Sequence, residues 1–243
     1  MSEVPIIVIH GLWNRGPEAW VLRRRLRRYC QRPVLQFSYA TVSRSFATNV
    51  DRLTEFLRGL EPGPVDLVAH SMGGLLVMSA CHKLPAARLR RIVLLGSPLR
   101  GSLAARRMAK LGVLGRWLAG GSLTALVEGL SDPAAGGLEI GVIAGSKAVG
   151  MGRVLGPMDG VSDGTVRLAE TRLDGVTDEL VLPVSHTGML FSDAVARAAA
   201  DFLDNGAFVH TGEVEADLAQ HRNQDPIGGR TRRKRKDPNS ACP

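Results

Sequence analysis

The segment Val65-Asp66-Leu67-Val68-Ala69-His70-Ser71-Met72-Gly73-Gly74-Leu75-Leu76-Val77 sets one serine between a short apolar run and a pair of glycines. Pro62-Gly63-Pro64 bounds the run upstream, so Val65 to Ala69 reads as a buried strand and Gly74 to Leu84 as a helix. Ser71 therefore stands in a strand-to-helix turn. Such a turn crowds its own backbone, and small residues on both sides of the serine relieve the crowding; Ala69 and Gly73 occupy those positions, giving the form A-x-S-x-G. A serine held this way projects its oxygen above the sheet edge, beside a helix N-terminus whose free amides favour developing negative charge. A serine that only caps the helix is the simpler alternative. A cap does not require small residues at this spacing, which favours a nucleophile.

Working outward, strand-like apolar runs recur at Val4 to Ile9, Val34 to Phe37, Ile92 to Leu95, Leu138 to Ala144 and Leu180 to Val184. Helical patterns at Arg15 to Tyr29, Ser45 to Leu60, Gly74 to Leu84 and Ser192 to Leu203 lie between most of them. The alternation predicts an α/β fold: a mostly parallel sheet of about six strands with helices on both faces. Residues 1–210 read as one domain and 211–243 as a polar, basic, disordered tail. An insertion between the fourth and fifth runs, Leu103 to Ser131, carries Leu111, Leu114, Trp117-Leu118 and Leu126-Val127 broken by glycines. A packed helix pair and a mobile apolar cover over the site fit it equally well.

At 243 residues, 44% of them apolar, the chain suits one larger soluble domain and needs no membrane span. Its net charge is +8 and its pI about 10.1. One cationic cluster, Arg23 to Arg28, alternates with Leu22, Leu26 and Tyr29 at helical spacing and reads as a solvated helix face. The other, Arg230 to Lys236, lies in the tail and is expected to make at most a weak contact with anionic surfaces. No aromatic residue interleaves its charges, so no specific nucleic-acid partner is expected. The start, MSEVPIIVIHG, has no basic segment before its strand, which predicts no secretory signal or transit peptide. Cys30, Cys81 and Cys242 are odd in number and lack C-x-x-C spacing, so neither a disulfide framework nor structural zinc is expected, and the compartment predicted is a reducing cytoplasm. No motif asks for a cofactor or a metal, and none specifies an oligomeric state.

A serine attacks well only when a base takes its proton and a third group holds that base in one tautomer. Of six histidines, His186 alone follows the last apolar run and precedes the final helix, in Leu182-Pro183-Val184-Ser185-His186-Thr187-Gly188-Met189. For the acid, the loop after the fifth run offers Asp159 and Asp163, each followed by glycine and each able simply to make a turn. Asp163 is preferred because Gly164-Thr165-Val166 supplies an apolar anchor behind it; Asp159 stays a competitor, and Asp174 and Asp178 read as turn residues. An oxyanion hole needs two backbone N–H groups. Met72 follows the serine and supplies one; Leu12 supplies the other from the loop after the first strand, where Gly11 lets the backbone approach and His10 braces it. Trp13, Leu114 and Trp117 are read as apolar contacts to substrate.

On these motifs the chain resembles α/β-hydrolases of the small bacterial lipase/esterase type, with some likeness to the GPI inositol-deacylase-like group, over nearly everything from Val4 to Leu203. HGLW at His10, AHSMGG at Ala69, GSPLRGS at Gly96, SDGTV at Ser162 and SHTGML at Ser185 carry the resemblance. The Ala in place of the first Gly of the serine motif is familiar in small bacterial lipases. The resemblance implies a Ser71, Asp163, His186 triad with Leu12 and Met72 as amide donors. It also implies cofactor-free hydrolysis of small-molecule or lipid carboxylic esters through an acyl-enzyme. Acyl transfer or thioester hydrolysis would use the same residues. A binding protein on a hydrolase fold is the alternative from another class; it would have no need to keep nucleophile, acid, base and oxyanion loop together.

Overall fold

The structure, a computed structural model, describes residues 4–12, 17–130, 137–150 and 156–210. Met1–His210 and Thr211–Pro243 cluster as separate units, and the second, with the basic tail, lies outside the described residues. In chain order the elements are β1 (Ile6–Ile9), α1 (Pro17–Cys30), β2 (Val34–Phe37), α2 (Phe46–Gly59), β3 (Val65–His70), α3 (Met72–Cys81), β4 (Leu89–Leu95), α4 (Leu103–Lys110), α5 (Val113–Ala119), α6 (Leu123–Glu128), β5 (Glu139–Gly145), α7 (Leu168–Thr171), β6 (Asp178–Leu182), α8 (Gly188–Phe191) and α9 (Asp193–Asn205).

The six strands make one sheet in the order β2-β1-β3-β4-β5-β6, every pair parallel, as the alternation of patterns predicts. From β1 the chain steps to β2 on one side and then to β3 on the other, so the order reverses between β1 and β3. Open α/β sheets form their binding crevices at such a reversal, at the carboxyl ends of the strands. Side chains alternate across the sheet. Ile7, Ile9, Leu67 and Ala69 enter one core with Val50, Leu53 and Leu57 of α2 and Leu75 and Leu76 of α3. α1 and α9 pack on each other and bury Leu22, Leu26, Phe202 and Leu203 completely. All of β3 is buried because it has strands on both edges and helices on both faces.

Local chemistry sets the ends. Pro17 opens α1, where its missing N–H costs nothing. Ser45 accepts from the Thr48 amide at 3.1 Å to cap α2, and Ser192 accepts from Val195 at 3.3 Å to cap α9. β4 begins at Leu89, three residues earlier than the apolar run suggests, since Arg90 and Arg91 sit within the strand and spend their charges on Asp66 and Glu139. β6 runs from Asp178 and stops before Pro183, which has no N–H for the ladder.

The insertion folds as three short helices, α4, α5 and α6, broken at Gly112 (φ 61°) and Gly120 (φ 59°). Gly115 is required where α5 lies on α4: a Cβ there would strike the Met108 carbonyl. The N-terminus of α4 is held twice, by Ser102 accepting from the Ala105 amide at 3.3 Å and by Glu170 accepting from the Leu103 amide at 2.7 Å. Among the described residues no helix is long and apolar enough to cross a membrane.

Candidate active site

Ser71 follows β3 and precedes α3 with φ 55° and ψ −126°. Gln31 is the other non-glycine residue with positive φ among those described. A serine has no intrinsic reason to adopt that conformation, which costs of order 1–3 kcal/mol and persists only where the surroundings over-determine it. The neighbours explain why small residues are needed. A Cβ on Gly73 would lie 2.7 Å from the His10 carbonyl oxygen, and one on Gly11 would lie 2.8 Å from the Ser71 Cβ. The β1 loop and the serine turn thus touch backbone to backbone across the β1–β3 reversal.

His186 lies between Ser71 and Asp163. Its Nε2 is 2.9 Å from Ser71 Oγ and its Nδ1 is 2.6 Å from Asp163 Oδ2. Asp163 is buried, and its other oxygen, Oδ1, accepts the amides of Thr165 at 2.9 Å and Val166 at 2.7 Å. An acceptor-only carboxylate on Nδ1 puts that ring proton on Nδ1 and leaves Nε2 free to accept from the serine hydroxyl. The two loops are also joined by main chain, the His186 amide donating to the Asp163 carbonyl at 2.9 Å. Glycine lets the carboxylate in: at Gly96 (φ +53°) a Cβ would sit 3.0 Å from Asp163 Oδ2, and at Gly145 one would sit 2.8 Å from the Asp163 Cβ. Asp159, the competing carboxylate, is exposed in irregular chain just before the bend at Gly160 (φ 80°).

The two neutral histidines around this chain have definite tautomers. His10 Nε2 accepts from the Tyr39 amide at 3.3 Å, which leaves its Nδ1–H to donate to the Gly11 carbonyl at 2.9 Å. Tyr39 stacks on the same ring and donates its hydroxyl to the His10 carbonyl at 2.8 Å. The loop carrying Leu12 is therefore braced from its own first residue. His70, which sequence reasoning treats only as the neighbour of the serine, donates from Nε2 to the His186 carbonyl at 3.0 Å and packs its ring 4.7 Å from that of His186. Burial, then the neighbouring His186, lowers its pKa to about 3, so it stays uncharged beside the site. Position 70 adjoins the serine in sequence, but its hydrogen-bond partner lies 116 residues away, and no local pattern announces that.

Leu12, Ser71 and His186 open into a pocket of about 160 Å³ with a mainly apolar wall that includes Ala105, Met108, Leu126 and Val166. The Met72 amide begins α3 and so has no carbonyl of its own helix to meet. The substrate contacts expected at Leu114 and Trp117 are not in this wall. Both side chains are exposed, and the insertion lines the pocket instead through the opposite faces of α4 and α6. A seven-residue helix that turns Gly115 and Ala119 inward must turn Leu114 and Trp117 outward. Trp13 lies outside the described residues.

The chain belongs to the alpha/beta hydrolase family, which its sequence matches over residues 6–218. Solved structures share the fold at low identity. A lipase from Bacillus licheniformis, BlEst2 in its mature form, superposes with a TM-score of 0.67 at 20% identity, covering 86% of this chain and 93% of that one. Phospholipase PlaB from Legionella pneumophila gives 0.63 at 16% identity, covering 90% of this chain and 62% of that one. The metagenomic carboxyl esterase MGS0156 gives 0.55 at 18% identity, covering 90% and 77%. No protein of curated function matches the sequence.

Proposed function

We propose that the protein is a serine hydrolase that cleaves carboxylic esters, with Ser71 as nucleophile, His186 as base and acid, Asp163 as the group that orients it, and the Leu12 and Met72 amides as oxyanion donors. The observation that carries this reading is the unbroken chain Asp163 Oδ2, His186 Nδ1, His186 Nε2, Ser71 Oγ, at 2.6 and 2.9 Å, opening into an apolar pocket. In the forward step Ser71 Oγ bonds to the carbonyl carbon as its proton passes to His186 Nε2, and the carbonyl oxygen takes the negative charge opposite the two amides. Collapse breaks the ester C–O bond, and the alcohol leaves with the proton from Nε2. Water, deprotonated by the same nitrogen, then attacks the acyl carbon and releases the acid. Asp163 stabilises the imidazolium that forms in each step. The likeness to esterases and lipases, and the narrower motif likeness to the GPI inositol-deacylase-like group, support esters of small molecules or lipids as substrates. A pocket of about 160 Å³ is comparable to a cavity that holds a benzene-sized molecule, so it suits the few carbons next to the reacting carbonyl.

A fluorophosphonate probe is expected to label Ser71, and p-nitrophenyl esters from acetyl to long-chain are expected to be turned over with preference for short acyl groups. Ser71→Ala should lower kcat by about five to six powers of ten without lowering the unfolding midpoint. Labelling of another serine, or undiminished turnover by the variant, would refute the assignment.

A further inference from the structure

Of the nine large apolar side chains that stand exposed among the described residues, four fall within seven positions: Leu111, Val113, Leu114 and Trp117. Val113 is 86% and Trp117 74% exposed. Val113, Leu114 and Trp117 stand on the outer side of α5 and Leu111 just before it, at the end of α4; the inner side of α5 rests through Gly115 on Met108, itself in the pocket wall. A patch of this kind marks an interaction site more often than chance exposure.

Charge indicates the partner. No acidic residue lies between Asp66 and Glu128. In that stretch Lys83, Arg91 and Arg100 meet carboxylates elsewhere in the fold, namely Asp51, Glu139 and Asp174. Lys110, at the end of α4, and Arg116, on α5, are exposed beside these residues and form no ion pair among the described residues; Arg106, also exposed on α4, forms none either but donates from Nε to the Val127 carbonyl of α6 at 3.4 Å. An apolar face with a tryptophan, flanked by cations that meet no carboxylate among the described residues, is the composition that inserts shallowly at a lipid–water boundary with its charges among anionic headgroups. A second copy of the chain fits poorly, because a two-fold contact would bring these cations against their own images.

We propose that the outer face of α5, with the exposed edge of α4, docks the protein on an anionic lipid surface, so that the Ser71 pocket takes esters presented by that surface. The substrate part of this inference rests on the esterase reading above. The pocket would hold only the reacting end of such an ester, the remainder staying in the lipid layer.

The full-length protein is tested by co-sedimentation with vesicles of phosphatidylcholine alone and of equal parts phosphatidylcholine and phosphatidylglycerol, at low and high salt. Stronger binding to the anionic vesicles is expected, weakening as salt screens the charges. Leu114→Ser with Trp117→Ser should weaken binding to the anionic vesicles by about tenfold or more, the scale set by losing burial of large apolar side chains. Arg106→Gln, Lys110→Gln and Arg116→Gln together should remove most of the preference for anionic lipid. Brominated lipids should quench tryptophan emission in the parent and clearly less in Trp117→Phe, which locates the contact on α5 independently of the basic tail. Both multiple variants should hydrolyse p-nitrophenyl acetate like the parent. Unchanged vesicle binding by both, equal quenching with and without Trp117, or a parent dimer that Leu114→Ser with Trp117→Ser dissolves would each overturn the proposal. If the esterase reading alone fails, the parent will not turn over p-nitrophenyl acetate yet will still bind vesicles through α5.

Discussion

Asp66 and Asp163 are both buried, yet they sit at opposite ends of the sheet and are satisfied in opposite ways. Asp66, near the amino end of β3, accepts from Arg32 at 2.7 Å, from Arg90 Nε at 2.9 Å and from the Arg91 amide at 3.1 Å, and the second Arg90 nitrogen also contacts it. Two guanidiniums neutralise it outright. Asp163, beyond the carboxyl end of β5, has two backbone amides on one oxygen and the His186 ring on the other. Amides orient a carboxylate without cancelling its charge, so its field remains available to a proton arriving on the imidazole. Burial of a carboxylate therefore does not by itself mark a site. The kind of partner does, and so does the end of the sheet.

The contrast is broken most directly by removing each charge. Asp163→Asn should lower kcat for a short ester by about four powers of ten, because the amide favours the wrong ring tautomer, while the urea midpoint moves little. A variant that unfolds easily but keeps its turnover per folded molecule would put Asp163 in the same class as Asp66. Asp66→Asn should do the reverse, costing about 3 kcal/mol of stability because two guanidiniums lose a buried counter-charge, with kcat of the folded fraction preserved. Urea unfolding and active-site titration with a fluorophosphonate separate the two quantities.

His70 sharpens the picture, since it is a buried titratable group at the catalytic end whose task is to stay neutral. Its pKa falls from 6.5 to about 3, chiefly by burial. Below pH 6.5 the unfolded chain therefore binds a proton that the folded chain refuses. Stability is whole above pH 6.5 and drains as the pH falls toward 3, by about 2 kcal/mol at pH 5 from this group. Burial lowers the His10 pKa as well and adds in the same direction. His70→Gln, which keeps a donor for the His186 carbonyl, should flatten the acid limb of stability measured between pH 7 and pH 5. An unchanged limb would mean that other groups govern it.

The smallest effect is expected at Asp159, an exposed loop carboxylate. Asp159→Asn should leave kcat unchanged and stability within about 0.5 kcal/mol. A loss of turnover comparable to that of Asp163→Asn would transfer the orienting role to it.

Most of what could be read from the sequence shares one property: its cause is local. Apolar runs a few residues long between turn signals mark all six strands. The small residues around Ser71 are the exception: they can be read as a motif, although the atoms that a Cβ on Gly73 would strike belong to Ile9 and His10, at the end of β1 and in the loop after it. Even there the helix starts at Met72 rather than Gly74, since the residue after the serine already has helical geometry. Where charged side chains lie inside a strand, as Arg90 and Arg91 do in β4, the apolar pattern falls short, because their partners Asp66 and Glu139 are 24 and 48 residues away.

The tertiary structure alone decided which partner each polar group meets and which face of each short helix turns inward. The choice between Asp159 and Asp163 has a sequence clue in Gly164-Thr165-Val166, but the hydrogen bonds to His186 and the close packing at Gly96 and Gly145 come from three other segments. His70 and the His186 carbonyl meet only because β3 and the loop after β6 end at the same edge of the sheet. The insertion is the clearest case. Its helices carry apolar residues on more than one side, so composition cannot select between Met108 and Leu126 as pocket wall and Leu114 and Trp117 as exposed surface. The selection is made by Gly115, whose missing side chain lets α5 lie on α4 in one orientation, a contact between backbones that an apolar periodicity does not encode.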